Sequence, residues 1–123
     1  MNLITTGQKE KLEAQWRASA ESDGGIDHRP VVKLFTPDAG ATWLLTELDP
    51  EGGDRAFGLC DLGLGFPEIG YVSLGELASV RGALGLPVER DRWFTPERTV
   101  SAYAECARRH QGIRSQCKCG DAI

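Results

Sequence analysis

The fold of this chain is decided by residues 31–73, which read VVKLFTPDAGATWLLTELDPEGGDRAFGLCDLGLGFPEIGYVS. Four short stretches in this segment are rich in β-branched, aliphatic and aromatic residues, and turn-forming residues separate them, which predicts β-strands. The predicted strands cover residues 31–36, 42–49, 56–62 and 69–73. Because the gaps between them are too short for crossover helices, consecutive strands should pair antiparallel, as a meander.

A helix is predicted before this sheet. Thr5, with Gln8 three residues later, has the form of a capping box. An apolar stripe then recurs every four residues, which is helical spacing, at Leu12, Trp16 and Ala20. The Asp-Gly-Gly sequence at residues 23–25 should end this N-terminal helix.

Two more helices are predicted after the fourth strand. Ser73 with Glu76 forms a second capping box, which opens a short helix that ends at Gly82. Residues 86–89 return as an extended segment, and the Thr-Pro pair at residues 95–96 suits the start of a helix. The C-terminal helix carries apolar residues at helical spacing: Val100, Tyr103, Ala104 and Ala107.

These elements predict an α+β fold with a central antiparallel sheet of four to five strands. An N-terminal helix, a short helix after the fourth strand and a C-terminal helix should pack on one face of the sheet. We expect residues 1–112 to form a single domain and residues 113–123 to be a mobile tail. The expected core side chains are Trp16, Leu34, Trp43, Leu45, Leu59, Tyr71, Leu77 and Tyr103.

Length and composition indicate an ordinary globular domain. The 123 residues are 41% hydrophobic and 26% charged, and a chain of this length can bury a core without metal or disulfides, so no cofactor is expected. No run approaches about 18 apolar residues and no signal-peptide pattern opens the chain. We therefore expect a cytoplasmic monomer or weak dimer that makes no contact with membranes.

The histidine content disfavours hydrolytic enzymes. Nucleophilic catalysis by Ser or Cys needs a base with a pKa near neutrality. The chain has only His28 and His110, and His28 lies in a polar linker, where a surface or capping role is the simpler interpretation.

The centre of the chain is acidic. Seven acids lie between Asp38 and Glu68 against Arg55 alone, so Glu47, Asp49 and Glu51 are expected to contact a basic protein partner. Three acids near the ends of neighbouring strands also suggest a divalent-ion site of the kind that metal-dependent nucleases use, formed by Glu47, Asp49 and Asp61. The alternative is that these acids only keep the rim of the sheet soluble.

Two further residue groups deserve a functional hypothesis. A tetrahedral zinc site is geometrically feasible in the C-terminal part, with reduced free thiols as the alternative, for Cys106, His110, Cys117 and Cys119. Bases interleave with aromatics after residue 89, as in surfaces that bind single-stranded nucleic acid, at Arg90, Arg92, Trp93 and Arg98. The alternative is that Trp93, with Phe94, packs at the edge of the core, so nucleic-acid binding is not the preferred interpretation.

Five stretches resemble a bacterial family of domains of unknown function, DUF2958. They are residues 32–37, 43–50, 57–63, 68–74 and 86–91, and the resemblance covers roughly residues 3–110. It implies a small cytoplasmic protein carried by plasmids or integrative elements, and some members carry a loose label as single-stranded DNA endonucleases. It implies no catalytic residues, and the chain departs from the pattern after His110.

The hypothesis that follows is a non-enzymatic accessory protein of a mobile genetic element. It would act by binding another protein, for instance to inhibit a host defence system. The alternative is a metal-dependent single-stranded DNA endonuclease that uses Glu47, Asp49 and Asp61.

Overall fold

The computed structural model describes residues 3–23 and 25–113. The sheet has five strands in the order β4-β3-β2-β1-β5, and each neighbouring pair is antiparallel. The element bounds are α1 Thr6–Glu21, β1 Val32–Phe35, β2 Thr42–Leu48, β3 Arg55–Asp61, β4 Glu68–Ser73, α2 Leu74–Ser79, β5 Glu89–Arg90 and α3 Val100–His110. The predicted α+β fold, with its three helices and antiparallel sheet, is confirmed.

The two predicted helix starts with capping residues form as expected. Thr5 Oγ1 accepts from Gln8 N at 3.1 Å while Gln8 Oε1 accepts from Thr5 N at 2.9 Å, so the first capping box closes in both directions. Ser73 Oγ accepts from Glu76 N at 3.1 Å and begins α2. These hydrogen bonds satisfy amide groups that the first turn of a helix leaves without partners.

The last helix begins later than the Thr-Pro pair at residues 95–96 predicted. Thr99 is its N-cap residue, but Thr99 makes no side-chain capping hydrogen bond. Instead, Val100 N donates to His28 O at 2.8 Å and Ser101 N donates to Asp27 Oδ1 at 3.1 Å. The linker after α1 therefore sets the start of α3. The residues around the start of α3 do not reveal this in the sequence, because the acceptors lie in another part of the chain.

The helices cover both faces of the sheet, and the prediction of a single covered face was wrong. One buried cluster joins Leu12 of α1 and Leu77 of α2 to Leu45. The other joins Leu44 to Tyr103 and its neighbours on α3. Because successive side chains of a strand point to opposite faces, and residues 43–48 of β2 are all buried, both faces need cover.

A β-bulge interrupts β2 where α1 approaches it. Leu45 pairs with Gly58, but the next pair is Glu47 with Phe57, so β2 has one extra residue. The extra residue is Thr46, and its carbonyl lies beyond the start of β1. Gln15 Nε2 of α1 donates to that carbonyl oxygen at 2.6 Å. The bulge turns the side chain of Glu47 to the face that carries Phe57.

Most of the expected core side chains are buried. Trp16 is only half-buried, and Tyr71 is 57% exposed, so its assignment to the core was wrong. Tyr71 lies on edge strand β4, on a part of the sheet that α3 does not cover. The buried members of the expected set are Leu34, Trp43, Leu45, Leu59, Leu77 and Tyr103.

The structure tests only part of two further predictions, the C-terminal tail and the lack of contact with membranes. Except for Ile113, the expected tail 113–123 lies outside the described residues. Within residues 3–23 and 25–113, no helix has the length and apolar character needed to cross a membrane.

Candidate functional site

An open cleft lies on the face of the sheet that carries Glu47. Its floor is a row of three side chains, since Glu47, Phe57 and Tyr71 are register partners on β2, β3 and β4. The second half of α1 forms one wall, and residues 25–27 with the start of α3 form the other. The cleft has a volume of about 710 Å³, within the usual size range of ligand-binding sites.

Glu47 is the most buried charged group of this cleft. Its side chain is 8% exposed, and Oε2 accepts from Ser19 Oγ of α1 at 2.9 Å. Ser19 Oγ also lies 3.1 Å from His28 Nε2, which in turn lies 3.0 Å from Gln15 O. Because a carbonyl oxygen only accepts, Nε2 carries the proton, and His28 donates toward both oxygens.

The Ser19, His28 and Glu47 side chains do not form a catalytic triad. In a triad, the histidine accepts the serine proton and the acid holds the other ring nitrogen. Here His28 Nε2 is a donor, and the carboxylate contacts the serine rather than the imidazole. The chain of hydrogen bonds therefore orients Glu47 and ties the linker to α1.

Aromatic rings line the open side of the cleft. The Phe57 and Tyr71 ring centroids lie 5.1 Å apart, and the Trp16 ring meets Tyr71 at 6.2 Å, edge to face. The guanidinium carbon of Arg55 lies 4.1 Å from the centroid of Tyr71. Tyr71 therefore already holds a cation against its ring.

A second carboxylate, Asp27, lies at the start of α3. It accepts from the N–H and the hydroxyl of Ser101. Partial burial by itself would raise the pKa of Asp27, but the hydrogen bonds from Ser101, with a smaller one from Thr99, outweigh burial and hold the pKa below its usual 3.8. Asp27 is therefore charged at neutral pH.

The structure does not bring the predicted nuclease acids together. On β3, the partner of Glu47 is Phe57, four residues from Asp61, a separation of about 13 Å along the strand. The Asp61 carboxylate accepts instead from Gly63 N and Ile113 N, and Asp49 accepts from Glu51 N in the β2–β3 turn. Antiparallel neighbours run in opposite directions, so the C-terminal ends of β2 and β3 lie at opposite ends of the sheet. The sequence prediction of a shared ion site overlooked this.

The three acids predicted to contact a partner lie toward one end of the sheet. Glu47 faces the cleft, whereas Asp49 is half-buried and Glu51 is exposed in the β2–β3 turn that follows. A basic partner that contacted all three acids would have to reach from the β2–β3 turn into the cleft. This contact stays a prediction.

The predicted zinc ligands are only partly described. Cys106 is buried and disulfide-bonded, so its sulfur is neither a free thiol nor a thiolate available to a metal. His110 is exposed, and Cys117 and Cys119 lie outside the described residues. Across the part of the chain that the structure describes, no three His, Cys, Asp or Glu side chains are grouped to hold a metal ion.

The predicted nucleic-acid residues differ in exposure. Arg90 Nη1 donates to Leu3 O at 3.1 Å, while Arg98 is half-buried. Arg92 is exposed and Trp93 is 90% exposed, so Trp93 does not pack on the core as its alternative interpretation required. Nucleic-acid contact by these residues stays a prediction.

A second candidate surface lies at the end of the sheet that carries the β1–β2 turn. Loop 81–87 is tied to this turn because Asp38 Oδ2 accepts from Leu84 N at 2.6 Å and from Leu86 N at 3.3 Å. Loop 62–67 meets the same turn, where Gly63 packs against Gly40. We call the two loops the apolar end, because large exposed side chains project from them: Leu62, Leu64, Phe66, Leu84 and Leu86.

Sequence reasoning missed both the cleft and the apolar end. A signal for the apolar end was present, since leucine and phenylalanine alternate with glycine in turn segments LGLGFP (62–67) and LGLP (84–87), where polar residues are usual. No local signal predicts the contact of Ser19 and His28 with Glu47. These residues are far apart in sequence and meet only through packing of α1 on the sheet.

Comparison with known protein families finds a match over most of the chain. The matching family model covers residues 3–114 and is described as a protein of unknown function, DUF2958. The resemblance found in the five sequence stretches is thereby confirmed. No curated protein and no solved structure matches the chain.

Proposed function

Since the chain belongs to the DUF2958 family, whose description assigns no activity, we propose a function from the surface of the molecule. It is a non-enzymatic accessory protein of a mobile genetic element, located in the cytoplasm, that acts by binding another protein. The apolar end is the contact surface. The mobile-element part of this proposal comes from the resemblance to plasmid-borne and integrative-element-borne members of the family.

The observation that carries the proposal is the exposure of the apolar end. Leu64 is 72% exposed, Phe66 79% and Leu84 80%, and the two loops carry no charged residue between 62 and 67 or between 82 and 87. Apolar side chains grouped at one end of a small domain typically mark an interaction site. Burying them against a partner would provide the hydrophobic free energy that stabilises a complex.

The chemistry of this surface defines the partner. A leucine-rich surface with no charged residue in segments 62–67 and 82–87 fits a partner with an exposed apolar patch, and its affinity should depend little on salt. We propose that the partner is a host defence protein whose activity falls when it is bound. The acidic β2–β3 turn lies at the other end of the sheet, so it contributes at most to steering.

Paired substitutions test the contact surface. Leu64→Asp and Leu84→Asp place charges on the apolar end without touching a buried side chain. Trp93→Asp is the control because Trp93 is at least as exposed as the two leucines but follows β5 at the opposite end of β1 from the β1–β2 turn. The partner is captured from the native bacterial host, identified by mass spectrometry, purified, and titrated calorimetrically with each variant.

We expect each leucine variant to weaken binding by about tenfold or more and the Trp93 variant to bind like the parent. Unchanged affinity in both leucine variants would reject the apolar end as the contact surface. The anti-defence role further requires that the parent chain lowers the activity of the captured protein and that Leu64→Asp does not. If the apolar end instead pairs two copies of this chain, the parent will dimerise in sedimentation experiments and Leu64→Asp will not.

A further inference from the structure

The two edge strands of the sheet differ in how they are protected. One edge is β5, which has only two residues, Glu89 and Arg90, both charged. The other edge is β4, which has six residues, no Pro, Lys or Arg, and an uninterrupted register with β3. Natural sheets protect an exposed edge strand by shortening it, by a bulge, by proline or by charge. β5 has this protection, whereas β4 has only Glu68 at its start.

One hydrogen bond identifies the backbone groups that β4 directs away from β3. Leu74 N donates to Asp54 O at 2.8 Å, which continues the β3–β4 ladder one pair beyond β4. Because hydrogen-bonded and non-hydrogen-bonded pairs alternate along antiparallel strands, Ile69, Tyr71 and Ser73 direct their N–H and C=O groups outward. The Ser73 carbonyl belongs to the first turn of α2. Within residues 3–23 and 25–113, the other outward groups of these three residues have no hydrogen-bond partner.

We propose that β4 pairs antiparallel with β4 of a second copy of this chain. The two-fold axis runs perpendicular to the sheet and passes between the two Tyr71 residues. In this register each Tyr71 exchanges N–H···O bonds with the Tyr71 of the other copy, and Ser73 N–H donates to the Ile69 carbonyl of the other copy.

The limits of β4 favour this register over its neighbours. A shift of two residues in one direction would place Ser73 opposite Pro67, whose nitrogen carries no proton. The same shift in the other direction would place Ile69 opposite Gly75, which lies in α2. The register centred on Tyr71 pairs the outward residues of β4 only with one another.

The sheet favours a second copy over an extended segment of another protein. A peptide strand added to β4 would leave its own outer edge exposed. Two copies joined through β4 instead form one continuous sheet in which both outer edges are the short, charged β5. The contact is isologous and closed, so it covers the exposed edge of each copy without growing into a fibre.

The side chain at the axis suits this pairing. Tyr71 is 57% exposed, and its ring already contacts Phe57 and Trp16. In the dimer the two Tyr71 side chains lie directly opposite each other on the same face, and aromatic pairs across antiparallel strands are stabilising. Arg55 lies against the Tyr71 ring, and in the described part of the chain it donates no hydrogen bond to the outward carbonyls of β4.

Sedimentation equilibrium of the full chain tests the pairing. One strand pair is a small interface, so we expect a monomer–dimer equilibrium between about 10 µM and about 1 mM protein. Tyr71→Lys and Tyr71→Glu should each weaken dimerisation by about tenfold or more, because like charges would lie directly opposite each other. Tyr71→Phe keeps the ring and should dimerise like the parent. Trp93→Lys adds a charge after β5, at the other edge of the sheet, and should leave dimerisation unchanged.

An equimolar mixture of Tyr71→Lys and Tyr71→Glu tests the position of the axis. Opposite charges would then face each other, so the mixture should associate about tenfold more tightly than either variant alone. Amide hydrogen exchange reports on the backbone, since exchange of the Tyr71 and Ser73 N–H groups should slow as the concentration of the parent rises. Circular dichroism confirms that each variant is folded.

Three results would overturn the proposal: a parent that stays monomeric up to about 1 mM, unchanged dimerisation in Tyr71→Lys, or a mixture that associates no better than its components. A dimer that Leu64→Asp abolishes and Tyr71→Lys leaves intact would assign the contact to the apolar end instead. The apolar end shares no residue with β4, so this proposal and the proposed function can each fail without the other.

Discussion

Substitution of Gly58 by alanine tests the close approach of β2 and β3 next to the bulge. Gly58 is buried on the interior strand β3, opposite the residue that precedes the bulge. An alanine Cβ there would lie 2.9 Å from both Leu44 C and Leu45 Cα and would overlap Leu44 O. These are backbone atoms of a central strand, so no side-chain rotation can relieve the overlap.

The expected cost follows from these contacts. Overpacking a core costs typically about 1–3 kcal/mol, and an obstacle made of backbone atoms belongs at the upper end. We therefore expect Gly58→Ala to lower the free energy of unfolding by roughly 3 kcal/mol. For a domain of this size, that corresponds to a fall in Tm of about 10 °C.

Gly70 provides the matched control. It is the register partner of Gly58 on edge strand β4, and an added Cβ would meet no atom within 4 Å. Gly70→Ala should therefore change stability by less than about 1 kcal/mol, with stabilisation favoured because alanine restricts the unfolded chain. Urea denaturation followed by circular dichroism measures both variants. A Gly58→Ala variant as stable as Gly70→Ala would refute the reasoning about the close approach of the two strands.

Three further predictions concern chemistry. Purified protein should not cleave single-stranded DNA with magnesium or manganese, because Glu47 and Asp61 lie too far apart to share an ion. Cleavage by the parent protein that is lost in Glu47→Ala and Asp61→Ala would establish the nuclease alternative. The stability that the Asp27 carboxylate contributes should be present above its unfolded pKa near 3.8 and lost as the pH falls through its lower folded pKa; a difference in Tm between the parent and Asp27→Asn that does not shrink as the pH falls below 3.8 would contradict this. Burial raises the pKa of the Cys60 thiol to about 11, so iodoacetamide should modify Cys60 in the folded protein at least about 100-fold more slowly than in urea near neutral pH, as peptide mapping would show.

The order and type of the elements could be predicted from the sequence because their signals are local. The capping box of Thr5 and Gln8 lies within one helical turn, and the Ser73 cap of α2 acts over three residues. Strand pairing was predictable for a similar reason, since gaps too short for a helix leave only antiparallel hairpins. The family was also readable from the strand segments.

The candidate sites depended on tertiary structure because register and packing join residues that are far apart in the chain. One extra residue in β2 decides whether Glu47 faces the core cluster beside Leu77 or the cleft beside Phe57, and no residue type marks a bulge there. The linker carbonyl of His28 decides where α3 begins. Sequence alone therefore determined the α+β meander, because local hydrogen-bonding and turn preferences specify it. Only the tertiary structure decided the separation of the acids, the exposure of Tyr71 and the groups that meet in the cleft, because contacts between residues distant in sequence set all three.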